Sequence, residues 1–170
     1  MQDEFGSSIA GVFKPSNEEP MAISNPKGLP ISKHREGLKR GTKVGEGALR
    51  EVAALLLDHK ADGEMGKKLT AFAGFPLTVL EVHKIAILDI RLANTDRNGV
   101  NILACKEFDD SDWILVPIDH GYCLPDTMRV VHIEWLYWPQ EKLPFQLEAL
   151  KYISVLDADA DILLLEKHGE

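Results

Sequence analysis

Asp96, Asn101 and Asp119 are the residues of this 170-residue chain whose types and spacing suit oxygen-ligand chemistry. Asn101 stands immediately before the apolar run 102–105 (ILAC), and Asp119 immediately after the run 113–118 (WILVPI). The polar stretch 106–112 between them predicts a β-hairpin with a longish turn. A hairpin brings the two positions to the same open end. Asp96 lies on the loop that feeds in from the preceding helix, so the sequence predicts two carboxylates and one amide converging. Mg²⁺ prefers oxygen ligands and keeps waters for exchange against phosphate, so Asp119 with Asn101 suits it. Asp96 is then free to orient or deprotonate an attacking hydroxyl. Asp and Asn at strand ends are also ordinary turn formers. The joint pattern of Asp, Asn five positions on, a hairpin and Asp-x-Gly is what chance rarely supplies.

A second pair points the same way. Lys14 ends a short apolar segment ahead of Pro15, and Glu51 falls within the amphipathic stretch that follows. A strand lysine held by a helix glutamate is how kinase-like folds aim an ammonium at the α- and β-phosphates of a nucleotide. Taken singly, each reads better as a solvated surface charge.

The elements that must position these groups are legible in outline. Residues 9–14 (IAGVFK) predict a short strand, stopped by Pro15. Residues 15–46 are rich in proline, glycine and polar residues and predict a long irregular loop, of the kind that is usually functional or mobile. Residues 47–58 space apolar side chains at 49, 52, 53 and 56, which predicts a helix with that face inward. After a Gly- and Lys-rich connection over 60–76, residues 78–92 predict a second helix with Val79, Val82, Ile85, Ala86 and Ile90 on one stripe. Beyond the hairpin, helices are predicted over 129–137, 146–155 and 158–168, the last capped by Asp157 and ended by Gly169.

Composition narrows the function class. The chain is 45% hydrophobic and 27% charged, as globular domains are, and no apolar run approaches the length of a membrane helix. The N-terminus is acidic and has no apolar signal core, and Cys105 and Cys123 form no CxxC or zinc pattern, so a reduced cytoplasmic setting is expected. The net charge of −8 argues against nucleic acid as a partner. Charge is unevenly spread: residues 27–43 hold six Lys/Arg against one Glu, whereas residues 106–170 hold five against fourteen Asp/Glu. The basic run Lys33, Arg35, Lys39, Arg40 and Lys43 is either a face for phosphates or an anionic membrane surface, or a solvated loop.

The segments VFKPSNEEP, NPKGLP, GLKRGTKVGEGALREVAALLLDH, EVHKIAILDIRLANTDRNGVNIL, VPIDHGYCLP and EWLYWPQ resemble, in order, the plant phosphatidylinositol 4-kinase gamma group. These are also called ubiquitin-like-domain kinases, and they fall within the phosphatidylinositol 3-/4-kinase superfamily. The resemblance covers most of the chain. It implies an α+β, protein-kinase-like two-lobed fold, with 1–77 an incomplete small lobe and 78–170 a mainly helical large lobe containing the hairpin. It implies ATP and Mg²⁺ as cofactors and phosphatidylinositol, met peripherally at a membrane, as acceptor. By resemblance Lys14 is the phosphate-binding lysine, Glu51 its helix partner, Asp96 the catalytic-loop aspartate, Asn101 a metal ligand and Asp119 the main metal ligand.

The chain also departs from the group. Of the glycine-rich hairpin expected before Lys14, only Gly6 and Gly11 lie nearby, and the ubiquitin-like repeats expected upstream are missing. GFPLTVL runs directly into EVHKI, where the group has several dozen residues that include the interlobe hinge, and Asn98 stands where the group usually has His. The expectation is a shortened lipid kinase domain. A Ser/Thr protein kinase on the same scaffold, or a catalytically silent module that binds partners, are the alternatives. Other motifs fall away. Asp157, Asp159 and Asp161 open like a calcium loop, but Ile162 and His168 stand where Gly and Glu are needed. Gly45 and Gly47 lack the third glycine of a dinucleotide fingerprint. His83, His120 and His132 have no metal-ligand spacing, and Trp135, Tyr137 and Trp138 read as packing aromatics.

Overall fold

The structure is a computed structural model, and it describes residues 14–58, 78–105, 112–128 and 132–168. Residues 9–13 of the strand expected over 9–14, the connection over 60–76, the tip of the hairpin turn and Gly169 lie outside the described residues. In chain order the elements are helix α1 (Gly47–Asp58), helix α2 (Val79–Arg91), strands β1 (Asp96–Arg97), β2 (Ile102–Cys105), β3 (Ile114–Pro117) and β4 (His132–Ile133), then helices α3 (Leu147–Ser154) and α4 (Ala158–His168). Helix and small-sheet content together make a mixed α and β chain, as expected.

Helix α2 organises the packing because it is apolar on more than one side. Val82, Ile85 and Ala86 pack with Ile102 and Ala104 of β2, Leu115 of β3, Ile133 of β4 and Trp135. Leu88, with Leu92 just beyond the helix, faces the other way, onto Ala54 and Leu57 of α1 and Cys123, with Leu164 and Leu165 of α4 against them. Ile90 departs from the expected stripe and is 64% exposed. Thr78 caps the helix by accepting from the Glu81 N–H at 3.3 Å. The Glu81 carboxylate does not return to the cap: it accepts from the Leu115 N–H at 2.8 Å and holds the outer end of β3 against α2.

The hairpin forms as the pattern predicts. β2 and β3 are antiparallel, with Ile102 opposite Pro117 and Cys105 opposite Ile114. The expectations fail in two places. Helix α1 buries Arg50, Ala54 and Leu57 rather than the face through 49, 52, 53 and 56, and Leu49 and Val52 lie exposed at 65% and 50%. Its sequence is apolar around much of its circumference, so periodicity alone does not choose the face; the buried Arg50, donating to the carbonyls of Cys123 and Leu124, does. No α-helix covers the described part of 129–137. His132–Ile133 instead pair in parallel with Asp96–Arg97, followed by a 3₁₀ turn over Glu134–Tyr137. β-branched and aromatic residues suit an extended segment better than a helix, and pairing with β1 decides it.

Candidate functional site

The open end of the hairpin is pinned from below by Arg97. Its guanidinium donates from Nη1 to the Asn101 carbonyl at 2.7 Å and to the Ile118 carbonyl at 2.6 Å, joining the residues that begin one strand and end the other. The Ile118 N–H donates to the Asn101 carbonyl at 2.9 Å, which continues the ladder. Arg97 is in turn fixed by Asp89 of α2, which accepts from its Nε at 3.1 Å and Nη2 at 3.0 Å. Asp89 also accepts from Asn94 at 2.8 Å and from the Trp135 indole at 2.9 Å. Both charges are fully buried, with side-chain exposures of 0% and 1%. This polar hub is the main positioning device that sequence reasoning missed. Its signal was present in a buried-side Asp on an apolar helix stripe, eight residues before an Arg adjoining Asp96.

Above the hub, Lys14, Glu51, Asp96, Asn101 and Asp119 line one cleft of about 680 Å³. Lys14 Nζ lies 2.9 Å from Glu51 Oε1 and 3.2 Å from Asp119 Oδ1, so a single ammonium bridges helix α1 and the turn after β3. Asn101 Nδ2 donates to the Asp96 carbonyl at 3.4 Å. Asp119 adopts φ 57°, a left-handed conformation that Asp tolerates better than most residues. Glu51 is approached on its second oxygen by His120 Nδ1 at 3.4 Å, so this histidine, which has no metal-ligand spacing in the sequence, stands at the edge of the site. Burial alone would raise the Glu51 carboxyl, but hydrogen bonds from His120 and Lys14 outweigh it and hold it down to about 2. Burial likewise works against the Lys14 ammonium, yet Glu51 and Asp119 raise its pKa above the ordinary lysine value.

The N-terminus of α1 is built to keep Glu51 there. Glu19 reaches back from the irregular loop and accepts from the Gly45 N–H at 2.7 Å and the Gly47 N–H at 3.0 Å, a carboxylate on the helix's positive end. A Cβ at position 47 would meet a Glu19 oxygen at 2.9 Å, so a larger residue there would push the Glu19 carboxylate off the helix end.

The basic run divides. Lys33 and Arg40 are exposed, and exposed Arg35 donates to the Val44 carbonyl at 3.3 Å. Lys43 lies 3.3 Å from Asp126. Lys39 turns inward, with Nζ 3.0 Å from Asp96 Oδ1 and 5.8 Å from the Tyr122 ring centre. Burial, then Asp96 and Asp119, push the Tyr122 phenol up to about 12, which keeps it neutral beside them. Of the three expected packing aromatics, Trp135 is buried but Tyr137 is 76% exposed.

Metal chemistry is limited by the donor set. Among the described residues no three His, Cys, Asp or Glu side chains cluster as a metal site. Asp119 and Asn101 offer one carboxylate and one amide oxygen, an all-oxygen set that suits Mg²⁺ shared with phosphates and is too sparse for a dedicated protein cage.

The family model for phosphatidylinositol 3- and 4-kinases matches residues 77–170, more than half of the chain. The chain belongs to that family. Among similar proteins are phosphatidylinositol 4-kinase gamma 4 of Oryza sativa subsp. japonica, 48% identical, and gamma 4 and gamma 2 of Arabidopsis thaliana, 45% and 42% identical, each over 99% of this chain. The chain spans only 36%, 38% and 40% of their lengths. The rice match runs over 206 aligned positions against 170 residues, so at least 36 positions of that kinase have no counterpart here. The matched stretch contains the DRNGVN and DHGYCLP segments that carry Asp96, Asn101 and Asp119. No helix among the described residues is long and apolar enough to cross a membrane.

Proposed function

We propose that this chain is the phosphate-handling portion of a two-lobed phosphatidylinositol 4-kinase domain, transferring the terminal phosphoryl of ATP to an inositol hydroxyl. The observation that carries the reading is Lys14, held at once by Glu51 and Asp119 in a cleft shared with Asp96 and Asn101. In that reading Lys14 meets the α- and β-phosphates, Glu51 holds Lys14, and Asp96 orients or deprotonates the attacking hydroxyl. Asp119 and Asn101 would hold Mg²⁺, which when bound neutralises phosphate charge. The residues themselves work chiefly by positioning. The ion pairing of Lys14 and Lys39 with the two aspartates keeps the acidic groups neutralised until phosphates compete for the lysines. Exposed Lys33, Arg35 and Arg40 form the part of the basic run still open to an anionic membrane surface; a peptide acceptor has no such need.

The test is thermal unfolding with Mg-ATP, since a ligand that binds only the folded state raises its stability. A rise with millimolar Mg-ATP, lost in Asp119→Asn, supports the reading; equal shifts in both proteins remove Asp119 from the metal site. The positions of the rice kinase with no counterpart here favour weak nucleotide binding and slow turnover by this chain, which fits the silent-module alternative. Micromolar affinity with steady turnover would sink that alternative.

A further inference from the structure

We infer that Lys39, on the irregular loop before α1, is a catalytic residue of this site: the cation that meets the terminal phosphoryl group of the nucleotide beside Asp96. The inference rests on the nucleotide-binding reading of the cleft. Its starting point is that the two lysines of the cleft are apportioned between the two aspartates. Lys14 sits on Asp119, whereas Lys39 sits on Asp96, with Nζ 3.0 Å from Oδ1 and 19% side-chain exposure on both partners. Lys39 comes from 57 residues away in sequence, so neither helix nor turn geometry dictates the contact.

Phosphoryl transfer explains why a cation belongs there. Asp96 as base lies within hydrogen-bond reach of the attacking hydroxyl, and that oxygen lies about 3–3.5 Å from the phosphorus it attacks. An ammonium touching the Asp96 carboxylate is therefore within reach of the equatorial oxygens, where transition-state charge is spread. Lys14, committed to Glu51 and Asp119, is held at the other acid of the cleft. The Lys39 backbone is also fixed in advance: its carbonyl accepts from the Thr42 hydroxyl at 2.6 Å, and the Asp126 N–H donates to the Gly41 carbonyl at 2.8 Å. Tyr122 lies under the ammonium and limits its drift. A lysine that merely fastened the loop would need none of this convergence on the base.

The chain should be treated with acyl phosphates of ATP and of ADP, which acylate a lysine lying beside their terminal phosphate. Labelled lysines are mapped by mass spectrometry with and without excess free nucleotide. The ATP reagent is expected to label Lys39, and the ADP reagent to favour Lys14, both suppressed by free nucleotide. Label at Lys14 alone overturns the role of Lys39 and leaves the nucleotide site standing. No protected label on any lysine overturns both. Equilibrium binding gives a second readout: Lys39→Ala should lower the preference for Mg-ATP over Mg-ADP about tenfold, the loss of one hydrogen bond to a charged group. Lys39→Arg should retain most of that preference, and the control Lys151→Ala, on exposed α3, should retain all of it. An unchanged preference in Lys39→Ala, with only reduced thermal stability, would assign Lys39 to loop fastening.

Discussion

Asp89 and Asp119 are both aspartates paired with one basic side chain, and the protein uses them in opposite ways. Asp89 is sealed in the core and its oxygens accept from Arg97, Asn94 and Trp135, with no room for a ligand. Asp119 is 43% exposed at its side chain, and its described ionic partner, Lys14, is shared with Glu51. A buried charge is tolerable only when paired and fully hydrogen-bonded, so the first cluster is fixed by its burial. An exposed pair is weak and exchangeable, so the second can release its lysine to a phosphate. The hub holds the hairpin ends through Arg97, and the cleft borrows that rigidity without sharing its chemistry.

The strongest way to break this comparison is to remove the hub acid. Asp89→Ala leaves the Arg97 guanidinium buried without its counter-ion and should cost about 3–5 kcal/mol of stability, measured by urea unfolding. A loss under ~1 kcal/mol would mean that the hub is not a structural pair. The matching change in the cleft is Asp119→Asn, which keeps a residue tolerant of the left-handed conformation at φ 57°. It should change stability by less than ~1 kcal/mol, as exposed pairs do, while Mg-dependent nucleotide binding disappears. If Asp119→Asn unfolds the chain as Asp89→Ala does, the two clusters are not distinct.

The cleft residues were legible in the sequence, whereas the hub was not. Asp96, Asn101 and Asp119 are announced by strand ends and turn spacing, which are local features, and Lys14 and Glu51 by their neighbours Pro15 and the α1 periodicity. Asp89 stands on the apolar stripe of α2, which hints at burial, but its partner Arg97 looks like an ordinary loop charge, and only the packing of α2 against Trp135 brings the two together in the core. The same limit explains the two errors of fold. The α1 face was chosen by Arg50 reaching carbonyls at 123 and 124, and the segment at 132–133 was claimed by β1, each a contact across tens of residues. The hairpin, whose pairing is local, was read correctly. Lys39 was seen only as one of a basic run because charge counting says nothing of direction.

A pH series sharpens the contrast from the cleft side. Glu51 is held at about 2 in the folded chain against an ordinary value of 4.5. A depressed carboxyl stabilises the fold fully above its unfolded pKa, and that contribution is lost as pH falls toward the folded value. Wild type should therefore exceed Glu51→Gln in thermal midpoint by a constant amount above about pH 5, and the gap should close between about pH 4.5 and pH 2. A gap that persists at pH 2 would show that Glu51 acts through packing rather than charge.

The smallest expected effect tests whether the two regions are energetically separate. Asp157 caps α4, accepting from the Ala160 N–H at 3.1 Å. Its loss in Asp157→Ala should cost about 1 kcal/mol. The first turn of α4 also carries Asp161, which binds Arg91 of α2 through Oδ2 to Nε at 2.9 Å and Oδ1 to Nη2 at 2.8 Å. Arg91 in turn donates to the Leu57 carbonyl of α1 at 2.8 Å. A path of contacts thus runs from the α4 cap to the helix that bears Glu51. Fraying at the cap should nevertheless stop at Asp161, because Leu164 and Leu165 stay packed on the apolar cluster and Glu51 is held by its own partners, Lys14 and His120. Asp157→Ala should therefore lower the unfolding midpoint and leave Mg-ATP affinity within about twofold, well under the tenfold that 1.4 kcal/mol would produce. An affinity loss matching the stability loss would mean that α4 reaches the cleft through Arg91, and the division between a structural core and an exchangeable site would fail there.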